Sequence, residues 1–465
     1  MNVDIEATAK EHGQFQQELW KISQTEKSAV LPDASSLARA RSSLPQSLDD
    51  QGIGYESTRR HILDDLVPAF NLSSISPALL WNVQVHLPEH TIATDVEYAT
   101  LGLLIDLLRL DHDWLNGTFT TGATASNILG LACGREYVVR QALRKRRLTS
   151  AQGVGETGLF EAMHSAGLSG IQVLSTMPHS SLVKAAGVLG IGRSNVQDVS
   201  ADNDPLVFDL NKVEARLRDP TKAAIVAVSC GEVNTGHFAT SGLNEMQKLR
   251  KLCDEYGAWL HVDGAFGIFG IELADSIAGD GHKILNVPYE CGFFLTRHRD
   301  QAMDVFQNAN AAYLTGSASD APSKPSPLNI GLENSRRFRA LPVYASLLAY
   351  GSRGYQATIE EQIRLARKIA EWLYDHPKYN VLPEVYNKKE LRDKIYVVVL
   401  FSAKDDELNR QLTATINETR RIYVSGTSWQ NRPACRIAIS NWRVQADRDF
   451  LVVKEVLDGV AGNKV

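Results

Sequence analysis

His261-Val262-Asp263-Gly264-Ala265-Phe266-Gly267 is followed downstream by Gly281-His282-Lys283-Ile284-Leu285-Asn286-Val287-Pro288-Tyr289. The first stretch closes an apolar run, Ala258 to Val262, with a carboxylate. The second offers a lysine preceded by a histidine. Singly, each has an ordinary reading: a core strand that ends at Asp263, and a surface lysine in a loop. Together and in this order they supply two groups that pyridoxal phosphate chemistry needs. A lysine amine condenses with the cofactor aldehyde as a Schiff base. An aspartate pairs with the pyridine nitrogen and keeps it protonated, so that the ring accepts electrons.

Around these stretches runs a strand-then-helix rhythm. Strands are predicted at Ile171–Ser175, Ala223–Val228, Ala258–Val262 and Gly292–Leu295, and helices at Ser180–Leu189 and Leu243–Tyr256. Short apolar strands alternating with helices predict an α/β fold with a mostly parallel sheet covered on both faces. Upstream, residues 93–110 read as an amphipathic helix capped by Thr94 or Asp95, and Glu56 to Leu66 as a short helical stretch. After Arg339 the pattern changes. A long helical stretch, Leu341 to His376, leads to Ile395–Phe401, a helix at Asp406–Arg420, then Ile422–Ser425 and Cys435–Ser440. The division is an N-terminal segment (1–85), a large cofactor-binding domain (86–339) and a small α+β C-terminal domain (340–465).

Composition bounds the function. The 465 residues are 44% hydrophobic with a net charge of -5, so the chain can bury a large core and offers no bulk attraction to nucleic acid or an anionic membrane. The dense basic run, Arg144-Lys145-Arg146-Arg147, reads as a solvated helix end. No apolar run has transmembrane length, and the N-terminus is polar and acidic, unlike a targeting peptide. The five cysteines form no close pair and read as buried thiols in a reducing cytoplasm. Histidine spacing suggests no metal site.

Two further stretches fit the same cofactor. Thr120-Thr121-Gly122-Ala123-Thr124-Ala125-Ser126-Asn127 precedes a helical run, Ile128 to Arg140. Small and hydroxyl residues at a helix start leave backbone N–H groups free for a phosphate. His179, in Pro178-His179-Ser180-Ser181, follows a strand and opens a helix, where an imidazole can lie flat on a pyridine ring. An ordinary helix cap and a loop histidine are the alternatives. Gly187-Val188-Leu189-Gly190-Ile191-Gly192 ends a helix and is discounted as a dinucleotide loop.

With these residues in place, the chain resembles the group II pyridoxal-phosphate-dependent decarboxylases, the family of aromatic amino acid, tyrosine and glutamate decarboxylases. The resemblance runs from about Asp95 to Trp442. It rests on His261–Gly267, Ala274-Asp275-Ser276, His282–Tyr289, Ser335-Arg336-Arg337-Phe338-Arg339 and Ile439-Ser440-Asn441-Trp442. It implies a fold of the aspartate-aminotransferase type, with a mostly parallel seven-stranded sheet and a small C-terminal domain, assembled as a homodimer. It implies that Lys283 is the Schiff-base lysine and Asp263 the pyridinium partner. Ala265 would pack under the ring and His179 would stack over it. Ala123, Thr124 and His282 would hold the phosphate, and Thr235, in Gly231-Glu232-Val233-Asn234-Thr235-Gly236, would lie near the cofactor. The implied reaction is decarboxylation of an amino acid to its amine.

The chain also departs from the family pattern. Ala125 and Ser126 stand where an acidic residue is common, and Glu232 where a small polar residue is common. Ser76-Pro77-Ala78 stands for an N-terminal His-Pro-aromatic element. Ser317 to Pro327 reads as an exposed mobile loop, and between Tyr313 and Phe338 there is neither the tyrosine that protonates the substrate carbon in many relatives nor any histidine. That absence predicts an oxidative by-reaction giving aldehyde. Other outcomes on the same residues are aldehyde synthesis, C–C cleavage or transamination, and a silent scaffold would retain the fold alone.

Overall fold

The structure, a computed structural model, describes residues 13–14, 17–18, 21, 31–70, 89–148, 152–267, 272–308 and 327–462. In chain order the strands are β1 (Gly117–Thr120), β2 (Gly170–Ser175), β3 (Val196–Asp198), β4 (Ser200–Ala201), β5 (Asp204–Phe208), β6 (Lys222–Ser229), β7 (Trp259–Gly264), β8 (Ser276–Gly279), β9 (Gly292–Thr296), β10 (Tyr379–Leu382), β11 (Val398–Ala403), β12 (Ser425–Trp429) and β13 (Arg432–Ala438). Seven of them form the expected sheet in the order β1-β9-β8-β7-β6-β2-β3. β9 runs against its neighbours β1 and β8, and the remaining pairs are parallel.

Burial on both faces explains the sheet's composition. Along β7, alternate side chains point to opposite faces. Leu260 and Val262 enter one core with Met246, Leu249 and Cys253 of the helix Leu243–Tyr256. Trp259 joins the other core with Leu129, Leu131 and Val139 of the helix Ala123–Lys145. That helix meets the strand closely because two of its residues lack a side chain. A Cβ on Gly130 would lie 2.3 Å from the His261 ring, and one on Gly134 would lie 2.8 Å from the Trp259 indole. The strand's start is fastened by Asp275, which accepts from Leu260 N–H at 2.7 Å, from Arg250 at 2.8 Å and contacts His298 Nε2 at 2.8 Å. Burial pushes this carboxyl up, but His298 and Arg250 outweigh that and hold it below the usual carboxylate range.

The small sheet is antiparallel, in the order β10-β11-β13-β12. One long helix, Ala340–Asp375, serves both cores: Val343, Tyr344 and Leu347 pack into the large one, and Leu365, Ala366 and Ile369 into the small one. Gly351 breaks its regularity at φ +60°, where the backbone of Gly52 and Asp49 lies against it. A side chain would meet both the steric penalty of that φ and the neighbouring chain.

Several expectations need correction. The helix at Ala93–Leu108 has neither Thr94 nor Asp95 as its cap; Ile92 precedes it, and Thr91 Oγ1 accepts from Ala93 N–H at 3.3 Å. Asp95 lies inside the first turn and pairs with Arg41 at 3.1 Å. The segment Glu56–Leu66 divides into an α-helix to Arg60 and a wider π turn, His61–Leu66. Ile422–Ser425 is not a strand, because Asn417 takes both backbone groups of Val424, at 2.9 and 3.0 Å, and β12 begins only at Ser425. The strands expected at 395–401 and 435–440 are β11 and β13, displaced by two to three residues at their ends. The basic run at 144–147 is an exposed helix end, as read, and all five cysteines are buried and unpaired.

Asp275→Ala leaves Arg250 with Asp254 as its carboxylate partner but strands the Leu260 N–H and His298 Nε2. Its cost is expected to be about 1–3 kcal/mol, the penalty of a buried donor left without its acceptor. Chemical denaturation of the unloaded protein checks it.

Candidate active site

In an open parallel sheet, ligands bind beyond the carboxyl ends of the strands. Here a cavity of ≈ 330 Å³ opens there, and Lys283, Asp263, His179, His282, Ala123, Thr124 and Ala265 all line it. These residues come from the ends of β1, β2, β7 and β8, so residues far apart in the chain converge only through the sheet.

Lys283 sits on the short helix Gly281–Ile284 that follows β8. Its Nζ lies 2.7 Å from Asp280 Oδ2 and 4.1 Å from the centre of the Phe266 ring. Asp280 also accepts from Ala123 N–H at 2.6 Å, tying the lysine segment to the start of the helix Ala123–Lys145. The residue before that helix, Gly122, has no side chain to cap it. The N–H groups of Thr124 and Ala125 lie in its first turn and have no intrahelical acceptor, which makes an anion site. His282 Nδ1 accepts from Cys291 N–H at 3.4 Å, and its ring stacks on Tyr289 at 4.1 Å.

Asp263 ends β7 with 4% exposure. Its oxygens accept from Asn127 Nδ2 at 3.0 Å and Ala265 N–H at 3.3 Å. Burial pushes its carboxyl up, while Asn127, His179, Ala265 and Lys283 pull the other way. Both of these hydrogen-bond partners are neutral, so the buried charge is under-compensated and a cation beside it would be stabilised. His179 Nδ1 accepts from Ser181 N–H at 3.2 Å and lies 2.7 Å from Ser181 Oγ, which fixes the ring at the cavity wall.

Thr235 is not among the residues that line the cavity; its N–H and hydroxyl donate to Glu232 at 2.8 and 2.9 Å. Glu232 is turned into its own loop, accepting from Asn234 N–H at 3.0 Å as well, while Gly231 and Val233 reach the cavity. Sequence reasoning missed Asp280, although a carboxylate three residues before the lysine was a usable signal. It quoted Asn127, Ser181, Phe266 and Tyr289 within motifs and gave them no role. The Ser76-Pro77-Ala78 element lies outside the described residues, as does the loop at 317–326.

The residues fit pyridoxal phosphate at three points: a helix start for the phosphate, an amine for the aldehyde, and a buried carboxylate for a protonated ring nitrogen. Comparison with known proteins agrees. Residues 85–391 match the pyridoxal-dependent decarboxylase conserved domain. The L-2,4-diaminobutyrate decarboxylase of Acinetobacter baumannii is 27% identical over 58% of this chain, and the match spans 54% of that relative's length. The aspartate 1-decarboxylase of Aliivibrio fischeri is 26% identical over 84% of this chain and 75% of its own. In fold, the crystal structure of Oryza sativa TDC with PLP and tryptamine superposes with a TM-score of 0.68 at 18% identity, covering 100% of this chain and 99% of that one.

A carboxyl raised by burial binds its proton more tightly folded than unfolded, so it costs stability as pH rises above the ordinary carboxylate range. Unloaded Asp263→Asn is therefore expected to melt higher than the parent at pH 8, with the gap closing towards pH 4. Thermal melts across that range check it.

Proposed function

We propose, from the premise that this chain belongs to the pyridoxal-dependent decarboxylase family, that it removes the α-carboxylate of an amino acid to leave the amine. The observation that carries this reading is Lys283 and Asp263 on one cavity with a helix start whose Thr124 and Ala125 line the same wall.

Pyridoxal phosphate, the family's cofactor, supplies a ring that withdraws electrons from the bond to be broken. Thr124 and Ala125 N–H groups bind its phosphate, with Ala123 and His282 beside them. Lys283 would be the covalent attachment point for the cofactor aldehyde. Asp263 holds a proton at the ring nitrogen, since a cation there relieves the buried charge. Ala265 and His179 confine the ring between them. Phe266 and Tyr289 add aromatic surface to the cavity wall. Lys283, whose Nζ lies 2.7 Å from Asp280, is the donor we assign for returning a proton to the substrate carbon.

The reading includes a homodimer in the cytoplasm. Support for a covering subunit is Tyr289, which is 74% exposed while lining the cavity. Support for a reducing compartment is that all five cysteines are buried and free. No described helix is long and apolar enough to cross a membrane.

Borohydride reduction followed by peptide mapping is expected to place the cofactor on Lys283; a label on another lysine sinks the assignment. Loaded protein given a panel including aspartate, 2,4-diaminobutyrate and aromatic amino acids is expected to release carbon dioxide with amine. Aldehyde with ammonia would redirect the reading to the oxidative branch, and keto acid without carbon dioxide would overturn it. Asp263→Asn is expected to retain cofactor and lose turnover by about a hundredfold or more, the scale of a lost electrostatic contact in a transition state.

A further inference from the structure

Behind Asp263 lies a chain of polar groups that the proposed chemistry does not use. Trp259, Ser276, His261 and Asn127 are all fully buried, each with 0% exposure. Trp259 Nε1 donates to Ser276 Oγ at 2.9 Å. Ser276 Oγ lies 2.8 Å from His261 Nδ1, and His261 Nε2 lies 2.9 Å from Asn127 Oδ1. Asn127 Nδ2 donates to Asp263 at 3.0 Å and to Ser181 Oγ at 2.9 Å.

The direction of this chain follows from its Asp263 end. A carboxylate only accepts, so the Asn127 NH2 faces it, with one hydrogen to Asp263 and one to Ser181. Asn127 Oδ1 then accepts from His261 Nε2–H, and the neutral ring leaves Nδ1 to accept from the Ser276 hydroxyl, whose oxygen accepts the Trp259 indole N–H. Ser181 passes its hydroxyl hydrogen to His179 Nδ1, in agreement with its N–H donating to the same atom. The reverse arrangement needs the other tautomer of His261 and points the Asn127 oxygen at the Asp263 carboxylate, which is tolerable only when that carboxyl is protonated. The helix is shaped for these rings: Gly130 and Gly134 leave the space that His261 and Trp259 occupy.

We propose that Trp259, Ser276 and His261 are positioning residues that lock the Asn127 amide in the one orientation serving both Asp263 and His179. Through Asn127 they present an N–H to Asp263 and leave the Ser181 hydroxyl to donate to His179 Nδ1. Burial is consistent with this, since it pushes His261 down to about 3 and leaves the ring neutral. The purpose of the relay rests on the cofactor reading, whereas its direction does not.

Two measurements on unloaded protein test it, after circular dichroism has confirmed folding. Nitrogen-15 spectra of histidine-labelled protein, with His261 assigned by His261→Gln, are expected to show the Nε2–H tautomer at neutral pH. A cationic ring or the Nδ1–H tautomer overturns the relay. Pyridoxal phosphate affinity is then read by spectral titration for Ser276→Ala and Gly130→Ala, each with Asp263 and with Asp263→Asn. Each is expected to weaken binding about tenfold beside Asp263 and less than about twofold beside Asn, as coupled neighbours do. Gly130→Ala removes no polar group, so its loss reports displacement of the ring alone. Equal losses in both backgrounds, or none, overturn the relay. A parent protein that binds no pyridoxal phosphate overturns the cofactor reading, a result distinct from normal binding with background-independent losses.

Discussion

A carboxylate buried at the end of a parallel strand is the constraint on which the rest of the site depends. Asp263 is nearly inaccessible to water, and an isolated buried charge is costly unless donors surround it. Asn127 and the Ala265 N–H supply two. They cannot neutralise the charge, so the cavity retains a preference for a cation at one point. An anion site at the start of a helix lies elsewhere on the same wall, and the two preferences orient a zwitterionic ligand before any covalent contact forms.

The same helix meets both needs. Its first turn faces the cavity, and Asn127, Gly130 and Gly134 face β7 in sequence. Residues three and four apart share a helix face, as alternate residues share a strand face. Asn127, Gly130 and Gly134 therefore lie over Asp263, His261 and Trp259 in turn. The helix start and the buried carboxylate are thus parts of one contact between a helix and a strand.

The small domain is joined to this frame at a few points around the cavity. Thr427 Oγ1 on β12 donates to Asn234 Oδ1 at 2.7 Å, and Arg436 on β13 lies 5.4 Å from the centre of the Phe266 ring. Gly236 approaches Val398, where a Cβ would stand 3.1 Å away. Glu232 accepts the N–H groups of the same turn, so it organises the connection between domains while Val233 borders the cavity. An acidic residue at this position has a structural task in its own loop.

The sequence by itself determined the fold class, the strands β2, β6, β7 and β9, and the pairing of Lys283 with Asp263, because each is written in local order: apolar runs, their spacing, and a carboxylate or lysine at their ends. Short strands such as β1, Gly-Thr-Phe-Thr, and β8, Ser-Ile-Ala-Gly, carry too little apolar pattern to be seen and exist because neighbouring strands offer free backbone groups. The cap of the helix at Ala93 was equally illegible, since Asp95 had a distant partner in Arg41. Only the tertiary structure decided that Asp280 ties the Lys283 segment to Ala123 at the helix start, and that Asn127 joins Asp263 to His261. Hydrogen bonds between residues more than a hundred positions apart leave no periodic trace in a chain; their partners are chosen by which helix lies over which strand.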